Sequence, residues 1–419
     1  MLIHWIWLAT RPKLSDRVKV ALLQHFRDPE EIYFADNGAY DHIEGLTQEN
    51  IEALQDKILI PAEEVLDACN REKIHILTFQ DAAYPKRLKN IPDPPIVLYY
   101  KGKLPDFDGQ PLIGVVGTRK ASPYGLTAAK RMGYQIAKCG GIVVSGMAFG
   151  IDAMAMSGAL TAGKPVIGIL GCGADIVYPP SNKGLFADTE KYGCILSEFP
   201  PGTPPYGWNF PKRNRIISGL SCGVLVVEAP EKSGALSTAN HALEHGRDVF
   251  VVPANIDVPT AVGSNRLLRE GAILAGSGWD IMSEYQPLFP DKIRKATGGN
   301  HQQAYADEVE EVAREAAKPM GKVAQKPKVP APKSNKKEKS NKKVVDNKPS
   351  ATYSDVNKPK PVLSADAQKI VDALRGGERL VDDVIAETGL PTGKVLSNLT
   401  ILELKGVIKR LGGKRITLN

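Results

Sequence analysis

The sequence predicts an α/β protein: a doubly wound, mostly parallel sheet core with a small helical N-terminal domain and a C-terminal winged-helix domain. Three observations support this. Between residues 112 and 275, short apolar strands alternate with helical stretches, the pattern of a parallel sheet covered on both faces. The first 75 residues carry apolar side chains at helical spacing. From Leu363 onward, two short helices flank the turn Thr388-Gly389-Leu390-Pro391 and lead into an alternating ribbon around Gly412-Gly413. A length of 419 residues fits several domains, since single cores rarely grow beyond ~250–300 residues.

In the N-terminal part, Leu14, Val18, Leu22 and Phe26 share a helix face, and Thr47-x-x-Asn50 has the form of a helix start. Gly45-Leu46-Thr47 is reminiscent of a helix–hairpin–helix turn, but no Lys or Arg lies between Arg27 and Lys57, which favours a structural role. Residues 1–80 are therefore a helical domain of SAM-like or helix–hairpin–helix-like type, and 81–290 the core. Expected core strands are Leu112–Val116, Gly141–Ser145, Pro165–Leu170, Cys194–Ser197, Val224–Glu228 and Val249–Val252. Helices are expected over Thr127–Cys139, Ala153–Ala162, Lys212–Gly219 and Ala235–Gly246. Residues 291–361, rich in Lys, Pro, Ser and Asn, are expected to be a flexible linker, with residues 362–419 the winged helix.

The chain holds 54 Lys+Arg and 47 Asp+Glu, a net +7. Residues 291–360 contain 17 basic and 9 acidic residues, whereas residues 1–290 contain 28 and 31. The basicity therefore belongs to the linker, and it is no argument for nucleic-acid binding by the core. No apolar run reaches the ~18 residues of a membrane span. Five scattered cysteines without a CxxC pair argue against a disulfide framework or zinc site, and the start lacks signal-peptide features. A cytoplasmic protein without membrane, metal or cofactor is expected.

Ligands of doubly wound sheets sit at strand ends near helix N-termini, and four motifs fall there. Gly117-Thr118-Arg119 offers close backbone approach, a hydroxyl and a guanidinium fork, and Ser122-Pro123 then supplies a helix cap and a first-turn proline. Ser145-Gly146 ends the next strand, with Asp152 expected to cap the following helix. Phe210-Pro-Lys212-Arg213-Asn214-Arg215 sets cations beside a ring, suited to phosphates and a base; the bland alternative pairs Arg213 or Arg215 with carboxylates such as Glu228. Ser233-Gly234 enters a helix after Lys232, another anion site. In the winged helix, Lys394, Lys405, Lys409, Arg410, Lys414 and Arg415 are the candidate contacts, to nucleic acid or to protein. Two decoys are set aside: Gly158–Lys164 lacks the P-loop Ser/Thr and its strand–helix context, and His241-x-x-Glu244-His245 has no third ligand.

In this order, the four motifs resemble the bacterial DNA-processing DprA (Smf) family. The likeness runs from Tyr84-Pro85-Lys86-Arg87-Leu88 to Gly271-Ala272, and takes in Leu170–Asp175, Tyr178-Pro179 and Gly246–Pro253. It departs at Met156, where many members carry His, and at Ala254, where many carry Gly. The resemblance implies an extended Rossmann-like core that binds single-stranded DNA without catalysis, as a homodimer. It also implies protection of incoming strands in natural transformation and recombination, and promotion of RecA recombinase loading, in some members on strands coated by single-strand binding protein. The DNA-contacting positions it implies are Gly117–Arg119, Ser145-Gly146, Phe210–Arg215 and, more loosely, Lys183. Two rival readings are a nucleoside monophosphate phosphoribohydrolase-type enzyme and a winged-helix transcription regulator. The first requires a Gly-Gly-x-Gly-Thr-x-x-Glu turn, which Ser233–Ser237 does not supply.

Overall fold

The computed structural model describes residues 1–40, 43, 45–296, 365–390, 394–395, 398–399, 402, 407–411 and 415–418. Nearly all of the expected linker thus lies outside the described residues. The chain divides into two compact units, one within Met1–Val323 and one within Ala324–Asn419.

A nine-stranded sheet organises the first unit. Its strands are β1 (His75–Thr78), β2 (Val97–Gly102), β3 (Leu112–Val116), β4 (Ile142–Ser145), β5 (Val166–Leu170), β6 (Cys194–Ser197), β7 (Gly223–Val226), β8 (Asp248–Val251) and β9 (Ile273–Leu274). Across the sheet they run β1-β2-β6-β5-β4-β3-β7-β8-β9. Pairs β1–β2 and β2–β6 are antiparallel and all other neighbours are parallel. From β3, the chain first winds toward β6 and then returns to β7 on the other side. The C-terminal edge between β3 and β7 is therefore the topological switch point, where such sheets open a crevice.

Strands β3 to β7 are buried throughout, as continuous apolar runs require. Their alternating side chains feed two cores. Ile113 and Val115 pack with helices Pro123–Lys138 and Ile151–Thr161 on one face. Leu112 and Val116 pack with helices Asn209–Leu220 and Gly234–Glu244 on the other. The first pair of helices lies very close, because a Cβ at Gly133 would come 2.0 Å from the Ala155 carbonyl oxygen.

Helix Pro123–Lys138 takes in four residues ahead of Thr127 and starts at the expected Ser122-Pro123 cap: Ser122 accepts from the Gly125 amide at 3.0 Å, and Pro123 supplies a preset φ. Helix Asn209–Leu220 likewise starts before Lys212, absorbing Pro211 in its first turn. Strands β1, β2 and β9 were not expected. They are edge elements whose short or proline-flanked segments carry little periodic signal.

The N-terminal helices, among them Leu2–Thr10, Asp16–His25, Gln48–Gln55 and Ile60–Glu72, enclose a third core around Trp7, Tyr40, Leu54 and Cys69 that extends onto β2 through Val97 and Tyr99. Thr47 and Asn50 form the expected capping box. Because His75–Thr78 belongs to the sheet, the helical part ends at Glu72 and not at residue 80.

In the second unit, helices Ala365–Ala373 and Val381–Thr388 pack with a three-stranded antiparallel sheet. Its strands are β10 (Arg379–Leu380), β11 (Ile408–Leu411) and β12 (Arg415–Leu418), in the order β10-β12-β11. Gly389 stops the second helix at φ +62°, as expected of the turn residue. This is a winged helix, with β11 and β12 as the wing.

Candidate nucleic-acid interface

An open cleft of about 700 Å³ occupies the crevice at the C-terminal ends of β3 and β7. Gly117, Thr118, Arg119 and Lys120 border it after β3, and Lys232, Ser233 and Gly234 after β7. Helix Asn209–Leu220 contributes Phe210, Arg213, Asn214 and Ile217. Those four are spaced i, i+3, i+4 and i+7, one face of the helix. Its lining holds four cations, Arg119, Lys120, Arg213 and Lys232, against one carboxylate, Asp152.

Each motif plays a separate part. Arg119 and Lys120 are exposed, and among the described residues no carboxylate pairs with Arg119; its guanidinium carbon lies 5.1 Å from the Phe210 ring centroid. Phe210 is half-buried, against Gly171 on the strand side and with Tyr178 at 5.4 Å. Thr118 is buried; its amide donates to the Glu228 carbonyl oxygen at 2.7 Å, joining the β3 turn to the β7 turn. Ser233 caps its helix by accepting from the Ala235 amide, and Asn214 Nδ2 donates to the Gly234 carbonyl oxygen at 3.1 Å.

Arg213 is buried as well as cleft-lining. Its Nη1 donates to the carbonyl oxygens of Gly146, at 2.8 Å, and Ile169. Burial lowers its pKa to about 10, opposed by Asp152 and reinforced by Arg119, so it stays cationic at neutral pH. A Cβ at Gly146 would come 2.5 Å from the guanidinium, so a side chain there displaces Arg213.

Several expectations need correction. Ser145 is buried beneath the cleft, its Oγ donating to the Val115 carbonyl oxygen at 2.6 Å, whereas Gly146 seats Arg213 and lines a small pocket of about 50 Å³ beside Arg119, Phe149 and Phe210. Asp152 does not cap the following helix. It lies inside that helix and accepts from the Gly146 and Ala148 amides, at 3.1 and 3.4 Å, closing the loop ahead of it. Burial pushes its carboxyl pKa up, with Arg213 opposing. The enclosed Met147 holds φ +56°, strain of roughly 1–3 kcal/mol for a non-glycine residue. Lys183 is exposed at the start of its own helix and does not line the cleft.

Lys212 and Arg215 turn to the opposite face of their helix. Arg215 is 2% exposed and pairs with Asp16 at 2.8 Å, Glu198 at 2.7 Å and Asp93 at 3.0 Å. Lys212 reaches Asp16 at 3.1 Å and Glu198 at 2.9 Å. Arg215 thus adopts the carboxylate-paired alternative, with different partners from those expected. Glu228 instead accepts from the Ser122 amide and Oγ, both at 3.0 Å, and from Thr260 Oγ1.

The two histidines set aside as a decoy have other contacts: His241 Nδ1 lies 3.2 Å from Glu244, and His245 Nδ1 lies 3.0 Å from Ser218 Oγ. In the winged helix, Arg415 of the wing pairs with Glu378 at 3.2 Å, and Lys394, ahead of the wing, with Asp366 at 3.5 Å. Lys409 is exposed. Lys405, Lys414 and the Arg410 side chain lie outside the described residues.

A mostly parallel sheet with a cationic cleft at its switch point, followed in the chain by a winged helix, defines an extended Rossmann-like protein. Residues 75–286 match the family described as DNA recombination-mediator protein A, and residues 355–414 match the DprA winged helix domain. The chain belongs to the DprA (Smf) family. Protein Smf of Synechocystis is 34% identical over 402 residues, covering 94% of this chain and 93% of its own length. DNA processing protein DprA of Bacillus subtilis is 42% identical over 220 residues, covering 52% of this chain and 74% of its own. The X-ray structure of DNA processing protein A from Streptococcus pneumoniae superposes with a TM-score of 0.59 at 32% identity, covering 68% of this chain and 98% of that one. Among the described residues, no helix is long and apolar enough to cross a membrane.

Proposed function

We propose that the chain binds single-stranded DNA in the β3–β7 cleft, without catalysis, and that this serves DNA processing in transformation and recombination. One observation carries the reading: strand-end motifs from three separate stretches of sequence line one cleft, where four cations and a phenyl ring meet a single, internally bonded carboxylate. Cations along a groove hold phosphates irrespective of sequence, and a ring beside them receives a base. Arg119 and Lys120 are the exposed phosphate ligands, Lys232 extends the charge, and the Gly117 and Ser233-Gly234 backbones allow close approach. Arg213 contributes field from below, and Lys183, outside the cleft lining, is kept as a looser candidate for the strand beyond it.

One feature argues for binding over chemistry. Asp152 in the cleft lining and Glu228 behind its Thr260 are occupied by backbone amides and hydroxyls, so neither is free to act as a general base. The relatives named as DNA processing proteins support a role in DNA processing; strand uptake, protection of the strand and loading of a RecA recombinase are the steps we propose for it. Single-strand binding protein is a further partner, and a homodimer is the working assembly in the cytoplasm. Gel-shift titration of the full chain with single-stranded and duplex DNA of equal length tests the binding step. Filament assembly by a RecA recombinase on coated strands tests the loading step.

A further inference from the structure

We propose that Tyr206 and Trp208 form a second base-stacking platform on the loop that borders the cleft, extending the single-strand track beyond Phe210. The proposal rests on the cleft being the single-strand site. In the loop between β6 and helix Asn209–Leu220, the two rings stack with centroids 4.7 Å apart and planes 10° apart. Tyr206 is 45% exposed and Trp208 72%. Two residues interleaved with them, Pro205 and Gly207, line the cleft itself, and Trp208 immediately precedes the helix that bears Phe210.

The loop is held in place. Gly202 donates to both Asp175 carboxylate oxygens at 3.0 Å, Gly173 N donates to the Thr203 carbonyl oxygen at 2.9 Å, and Asn209 N donates to the Tyr206 carbonyl oxygen at 3.0 Å. Pro200, Pro201, Pro204 and Pro205 restrict φ along the same stretch. A large π-face already fixed in water loses little freedom on receiving a ligand. Phe210, by contrast, has Arg119, Arg213 and Tyr178 around its ring. The nearby cations favour a ligand carrying phosphates between planar groups, and an indole face accepts any base.

The test compares wild type with Trp208→Ala, Trp208→Phe and Arg119→Glu on oligo-dT and on an abasic strand of equal length, across a salt series. Trp208→Ala is expected to weaken oligo-dT binding roughly five- to one-hundred-fold. Its salt slope and abasic-strand affinity should stay unchanged, since no phosphate contact is lost, and Trp208→Phe should recover most of the affinity. Of the four tryptophans Trp208 is the one most open to solvent, with Trp5 and Trp7 buried, so oligo-dT should quench wild-type fluorescence far more than that of Trp208→Phe. Wild-type-like oligo-dT affinity in a folded Trp208→Ala overturns the platform, and so does an equal loss on the abasic strand. If Arg119→Glu still weakens binding, the cleft reading survives that failure. A wild type that binds neither strand overturns both. Altered self-association in Trp208→Ala with unchanged DNA affinity marks a protein contact and refutes the proposal.

Discussion

Replacing Asp16 with Asn probes the buried ion cluster that fastens the N-terminal helices to the helix carrying Phe210 and Arg213. In it Asp16, Glu198 and Asp93 face Lys19, Lys212 and Arg215. Burial alone would raise the Asp16 pKa, but Lys19, Lys212 and Arg215 outweigh it and pull the carboxyl from 3.8 down to about 2. At ~1.4 kcal/mol per unit, the charged form is worth on the order of 2 kcal/mol to the fold. Removing the charge leaves three cations against two carboxylates, with the same sign of effect. Thermal unfolding followed by circular dichroism should show D16N melting roughly 4–8 °C below wild type at pH 7. Because the folded pKa lies below the unfolded one, the stabilisation is complete above about pH 4 and is lost as pH falls through about 2. The two melting curves should therefore converge in acid. An unchanged melting temperature at pH 7, or a difference that persists undiminished into acid, refutes the role given to this cluster.

Gly146→Ala should displace the Arg213 guanidinium, cost about 1–3 kcal/mol in urea unfolding and weaken single-strand binding. His245 is expected to shape the acid limb of stability. Burial, with His241 and Arg247 adding to it, holds its pKa at about 4 against an ordinary 6.5. Its neutral form is thus preferred in the fold, and the stability this confers is present above pH 6.5 and lost as pH falls through about 4. His245→Gln should flatten stability across that window in a pH series of urea midpoints.

The parallel sheet and the cleft-forming turns were legible because buried strands and capped helix starts leave local marks, such as Leu112–Val116 and Ser122-Pro123. Which of four consecutive polar residues face the cleft was not. Lys212 through Arg215 read alike as a string, and only the helix's starting point and the carboxylates of Asp16, Asp93 and Glu198, distant in sequence, divide Arg213 and Asn214 from Lys212 and Arg215. The burial of Ser145 beneath the cleft was hidden for the same reason: strand-end position does not say which layer a turn occupies. Tyr206 and Trp208 passed unnoticed inside a proline-rich loop, where no periodicity announces a stacked pair. The overall charge gave no help. It belongs to the lysine-rich stretch after residue 290, while the cleft depends on a few local cations.

Arg213→Glu is a poor probe of the interface, since it would bury a carboxylate beside Asp152; Arg119, exposed at the cleft, is the clean one. The most direct measurement is therefore the salt-dependent affinity of wild type and Arg119→Glu for a single strand, with duplex of equal length alongside. Wild type should prefer the single strand. Arg119→Glu should bind it more weakly, with the slope of log K against log salt reduced by about 0.7 per lost phosphate contact. A folded Arg119→Glu with wild-type affinity and slope, or a wild type that prefers duplex, would contradict the assignment of the cleft.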